Sequence, residues 1–178
     1  NTLMKLYEFT KKLSEPLLII SAALILYCNY LIFLGVPNER IMGPVQRIFY
    51  FHVGAAVATY AALAILLVAA LIYLARRDRH SVAWGVAAAE VGFLLCTITL
   101  ISGMIWGHSA WNTWFSWEPR LVTFLVLWLI LLGANLFRGL ADPARADTHC
   151  AVLWIVSALN VPLVHFSIKF LPQSAQLH

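Results

Sequence analysis

Charge is scarce in this sequence. Twelve Lys and Arg with eight Asp and Glu make up 11% of 178 residues, against about 25% in soluble domains. A soluble fold of this length needs a solvated shell, and so few charged side chains cannot cover one. Hydrophobic residues reach 62%, above the usual 45–50% or so, and lipid is the environment such a surface requires. Cysteine is also sparse: Cys28, Cys96 and Cys150 stand far apart, with no C-x-x-C and no C-x-x-C-H. That excludes a dithiol redox motif and a covalent haem-attachment motif, and leaves the cysteines as small apolar fillers. The net charge of +4 is not arranged as a basic stripe with interleaved aromatics, so nucleic acid is excluded as a partner. Alternating ten-residue segments of the outer-membrane barrel kind are missing, as are internal repeats, low-complexity tracts and any sign of a second domain. The reading is all-α: a single membrane domain over residues 1–178.

What is present is a set of five apolar runs. A spanning helix needs about twenty largely apolar residues. The runs at about 17–36, 45–74, 82–105, 121–137 and 150–170 each reach or approach that length, which predicts a polytopic bundle of five spans. Pro16 is expected at the first turn of the first span, and Gly35-Val36-Pro37 at its close. No small-x-small cleavage site follows this run, so it reads as a span and not as a removed signal.

The charges then set a direction. Five spans place the N-terminus and the loops 75–81 and 138–149 on one side, with Lys5, Lys11, Lys12, Arg76, Arg77, Arg79, Arg138 and Arg145. The other side has Arg40, Arg47, Arg120 and Lys169. Positive charge stays inside, so the N-terminus is expected in the cytoplasm. The loop 106–120, the start of the second span and the end of the fifth then share the outer face.

Three unusual features converge on that face. The first is the loop itself, in which Trp106, Trp111, Trp114 and Trp117 account for four of seven tryptophans. Trp favours the headgroup level, but an aromatic belt places one or two at a helix end. Trp111, Trp114 and Trp117 recur every three residues, which on a short interfacial helix would form one shelf for a flat apolar ligand. The second and third are His52, in Ile48-Phe49-Tyr50-Phe51-His52-Val53, and His165, in Val161-Pro162-Leu163-Val164-His165-Phe166. Either alone reads as a satisfied polar residue; together beside a tryptophan shelf they mark a site, because ionisable groups in a bilayer are costly. Neutral imidazole is a good axial ligand for haem iron, and two give six-coordination. Zinc would want further ligands that are not at recognisable spacing. The depths of the two histidines need not match by counting, because a proline such as Pro162 can break or kink the fifth helix just before His165. Arg47 and Arg120 fall on the outer face close to this site, placed to pair with haem propionates or to anchor the interface. His108 is a possible further ligand, while His80, His149 and His178 carry no signal. Glu90, about mid-membrane, has no evident partner.

These residues resemble a known family. Trp106-Gly107, Trp111, Trp114, Trp117, Glu118 and Arg120-Leu121 are similar to the tryptophan-rich signature of haem-handling proteins in cytochrome c biogenesis. The segments around His52 and His165 resemble that family's two haem-ligand segments, and the nearest branch is haem exporter protein C of the cytochrome c maturation system. The resemblance implies six spans, of which five are read here. It also implies that haem b is held transiently at the periplasmic face of a bacterial inner membrane, between His52 and His165 as axial ligands. Trp106, Trp111, Trp114, Trp117 and Glu118 would lie against it, and the haem would pass to a membrane-anchored haem chaperone beside subunits of an ATP-binding-cassette transporter. Such a protein is an assembly factor and not an enzyme. Glu118-Pro119 departs from the family's usual Asp and is expected to alter the loop locally. A fixed haem b electron-transfer subunit and a haem-free structural subunit remain the alternatives.

Overall fold

The computed structural model describes residues 2–166, apart from the side chains of residues 2, 3, 6, 7, 143, 144 and 165. The last residues of the expected fifth span, Lys169 among them, and His178 lie outside the described residues. Five helices follow one another: α1 (Thr2–Tyr30), α2 (Gln46–Arg76), α3 (Arg79–Trp111), α4 (Pro119–Leu140) and α5 (Pro143–Phe166). Among the described residues no β-strand forms, and all five helices are long and apolar enough to cross a membrane. The protein is therefore a multi-pass α-helical membrane protein. The chain divides into two compact units, Asn1–Tyr50 and Phe51–His178, with the boundary inside α2.

In the first unit α1 begins well before Pro16, which lies inside the helix and not at its start. Good helix formers such as Leu3, Met4, Lys5, Leu6 and Glu8 precede it, and a proline removes only one backbone donor. Leu18, Ile19 and Leu26 are exposed, as a lipid-facing helix requires. The coil widens to a π-helical segment over Leu31–Gly35, closed by Val36 N–H donating to the Leu31 carbonyl at 2.9 Å. In the following loop the N–H groups of Met42 and Ile41 donate to Glu39 and hold its carboxyl below the ordinary value.

The second unit is built on close approach. Leu63, Leu66 and Ala70 of α2 meet Ala89 and Cys96 of α3, Leu127 and Leu131 of α4, and Ala151 and Trp154 of α5 in one core. Without a hydrophobic drive between helices in lipid, small residues and interhelical hydrogen bonds hold such bundles. Accordingly the Trp128 indole donates to Thr97 Oγ1 at 2.8 Å and the Asn135 amide to the Ala89 carbonyl at 3.3 Å. Glu90, one residue on, is exposed on α3 and does not enter this core.

The turns explain the helix ends. Arg77 takes a left-handed φ of 53° and donates its N–H to the Tyr73 carbonyl, which stops α2. Asp78 then caps α3 by accepting from Ser81 N at 2.9 Å and Ser81 Oγ at 2.8 Å. Desolvation pushes the Asp78 carboxyl up, but the Ser81 hydroxyl and the Ser81 and His80 N–H groups outweigh it and hold the group below its ordinary value. At that same end, Arg77 reaches Thr148 Oγ1 at 2.6 Å and Arg138 pairs with Asp147 at 2.8 Å. Two-residue connectors at 77–78 and 141–142 and a longer one at 112–118 make the four helices alternate in direction. The part of α2 that opens this unit at Phe51, the end of α3, the start of α4 and the end of α5 thus share one end of it.

A further expectation about a helix end is corrected. α3 does not stop near 105 but continues through Trp111, so its 33 residues span about 50 Å at 1.5 Å each. It ends where Asn112 adopts a left-handed φ of 55° and donates its N–H to the His108 carbonyl; Asn tolerates that conformation as a helix terminator. In α5 the helix runs on past Pro162 to Phe166 instead of breaking there.

Candidate functional site

His52 sits on α2, half-buried, where the chain enters the second unit. Its Nδ1 lies 3.1 Å from the Thr99 carbonyl oxygen and 3.3 Å from Ser102 Oγ, both on α3. Nε2 has no hydrogen-bond partner among the described residues. The ring lies against Gly103, where an added Cβ would stand 2.9 Å from Cε1 and 3.3 Å from Nδ1. Gly103 has ordinary helical φ, so space and not backbone conformation asks for glycine here.

From His52 an aromatic path runs along the end of α3. The Trp106 ring centroid is 6.0 Å from that of His52 and 5.3 Å from that of Trp111. Gly107 allows the connector to fold back beside the helix, since a Cβ there would meet the Thr113 carbonyl at 3.2 Å. This fold-back brings Trp114 onto His108, stacked at 4.1 Å and 22°. The His108 Nδ1 is buried and has no hydrogen-bond partner among the described residues. Trp117 packs edge-on against Phe115 at 5.3 Å, and is 81% exposed, with Trp114 at 55%.

The expected single shelf of Trp111, Trp114 and Trp117 is not what forms. Residues 112–118 are not helical, and Trp111 belongs to α3 while the other two lie on the connector. The left-handed Asn112 ends one helix and Pro119, at the first turn of α4, begins the next. The three indoles pack separately, Trp111 against Trp106, Trp114 on His108 and Trp117 against Phe115. Pro119 thus occupies a favoured helix-start position.

The remaining predicted residues divide between the two units. The Glu118 carboxylate, nearly buried, lies 3.5 Å from the half-exposed Arg120 guanidinium. Arg47 belongs to the first unit, where its Nη2 donates to the Val36 carbonyl at 3.3 Å. His165 is in the last turn of α5, at the same end of the second unit as His52 by helix direction; its side chain lies outside the described residues. Sequence reasoning missed Thr99, Ser102 and Gly103. With Trp106 they fall at i, i+3, i+4 and i+7, one face of a helix, a spacing that was there to be read.

The donor set suits one kind of metal ligand. A bare ion wants three or more protein ligands, and no group of three His, Cys, Asp or Glu able to hold one occurs among the described residues. Haem iron brings four nitrogens of its own, so a single imidazole whose second nitrogen has no partner among the described residues, near indole rings, fits it.

Comparison with known proteins agrees with this chemistry. The family described as "Heme exporter protein C" matches residues 2–178. Relatives with that same description include one from Paracoccus denitrificans, 36% identical over 135 residues, covering 75% of this chain and 56% of the relative. Another, from Rhodobacter capsulatus, is 34% identical over 139 residues, covering 78% and 57%. A third, from Escherichia coli, is 29% identical over 157 residues, covering 87% and 64%. The matched stretch is thus less than two thirds of each relative's length.

Proposed function

The chain belongs to the haem exporter protein C family, and we propose that it holds haem b transiently at the outer face of a bacterial-type cytoplasmic membrane and hands it on for cytochrome c assembly. The observation that carries this reading is the imidazole of His52, anchored at Nδ1, with no hydrogen-bond partner at Nε2 among the described residues and the Trp106 ring 6.0 Å away. A neutral imidazole so oriented is a ready axial ligand.

In this reading His52 and His165 would be the residues that hold the iron, and Trp106, Trp111, Trp114 and Trp117 would offer apolar faces to the porphyrin. Arg120 would pair with a propionate, while Glu118 lies 3.5 Å from its guanidinium. The exposure of Trp114 and Trp117 supports an open site that a second protein can reach. A membrane-anchored haem chaperone would receive the cargo there, with subunits of an ATP-binding-cassette transporter as further partners. The chain would perform no bond chemistry itself. Its N-terminus and the arginine-rich turn around Arg77 would face the cytoplasm, as positive charge requires.

The test is haem titration of the purified full chain in detergent. Saturable binding of about one haem per chain, displaced by an excess of a competing apo-haemoprotein, supports a transient carrier. Haem that binds nowhere in stoichiometric amount contradicts it.

A further inference from the structure

Resting on the reading above, we infer that the Thr99–Ser102–Gly103 edge of α3 is a positioning device for His52, fixing which ring nitrogen is bare and how the ring is aimed. The argument begins with hydrogen-bond direction. The Ser102 hydroxyl donates its one proton back to its own helix, 2.7 Å from the Ile98 carbonyl and 3.2 Å from that of Thr99. Towards His52 it therefore presents a lone pair. The Thr99 carbonyl can only accept. Nδ1 faces two acceptors, at 3.1 and 3.3 Å, and must carry the hydrogen. In the neutral imidazole the other nitrogen, Nε2, then holds the lone pair. An imidazole whose Nδ1–H is held by a carbonyl is the usual arrangement of metal-binding histidines, and the acceptor raises the ring's basicity.

Gly103 supplies the second constraint. The ring lies so close to this backbone that a methyl group would stand 2.9 Å from Cε1, below any ordinary contact. Alanine would push the ring off the helix and lengthen both Nδ1 contacts. Trp106, one turn further along the same face, borders the ring at 6.0 Å. The three small residues thus set tautomer and ring plane together, and the indole limits how far the ring can swing. None of them need touch the cargo; they act through His52.

Three measurements test this, one without haem. In the haem-free full chain, 15N-labelled at histidine, the His52 spectrum should show a protonated Nδ1 and a bare Nε2. In the haem-loaded chain, Ser102→Ala should move the midpoint potential positive, because a less basic imidazole favours ferrous iron. The expected change in the ferric-to-ferrous affinity ratio is between about twofold and tenfold, the range one hydrogen bond is worth. Gly103→Ala should weaken haem retention about tenfold or more, and should Gly103→Ala fail to insert, the other two measurements decide. A proton on Nε2 in the haem-free chain, or an unmoved potential in Ser102→Ala, overturns the inference even if His52→Ala loses haem as the functional reading requires. A wild-type haem spectrum in His52→Ala overturns that reading and the inference with it.

Discussion

The indole of Trp154 on α5 lies directly on the backbone of Gly85 on α3, so that a Cβ at position 85 would overlap the ring. Trp154 is fully buried in the core of the second unit. The pair is a large residue set into the gap left by a missing side chain, which is how helices approach closely in lipid. Gly85→Ala should therefore destabilise the second unit by about 1–3 kcal/mol, the range for overpacking a filled core. Trp154→Ala should cost about 3–5 kcal/mol through the cavity it leaves. The double variant should be less damaging than the sum, because each change relieves the other. Thermal unfolding of the purified chain in detergent measures all three; strict additivity would mean that the two residues are not in contact.

Trp114 and Trp117 make a different prediction, since both are largely exposed. Replacing both with alanine removes stacking area without opening the core. Stability should change by less than about 1 kcal/mol, while haem retention falls severalfold. Trp114→Phe, which can still stack on His108, should keep more retention than Trp114→Ala. Unchanged retention in the double variant would return these indoles to the role of an ordinary interfacial belt.

Membrane orientation can be read with single cysteines, once Cys28 is replaced by serine. Cysteine at Asp142, in the connector between α4 and α5, should be shielded from a membrane-impermeant maleimide in intact cells. Cysteine at Trp117, on the connector before α4, should react. The opposite pattern would place the tryptophans on the cytoplasmic face and remove the outer haem site.

Much of this architecture was legible because lipid leaves few options: long apolar runs must be helices, and five of them were visible. The break at Arg76-Arg77-Asp78-Arg79 was legible too, since arginines resist burial and Asp78 is a good cap. What failed was the reading of residues 106–111. Gly107 and His108 look like loop residues, yet the i→i+4 ladder continues through both and yields only at the left-handed Asn112. Pro16 misled for a related reason: a proline removes one bond from a ladder that the surrounding helix sustains. At the site, His52 announced itself as an ionisable residue in an apolar run. Thr99, Ser102 and Gly103 did not, because small side chains carry little sequence signal until a partner is seen against them.

The central claim is that His52 and His165 grip haem iron from two sides, and the absorption spectrum of the haem-loaded chain tests it most directly. The wild-type chain should show a six-coordinate, low-spin haem. His52→Ala and His165→Ala should each give a five-coordinate or weakly held haem, and the double variant should lose ordered binding. Folding should survive, since alanine removes a costly polar group from an apolar setting. Two single variants that both keep the wild-type low-spin spectrum would contradict the account.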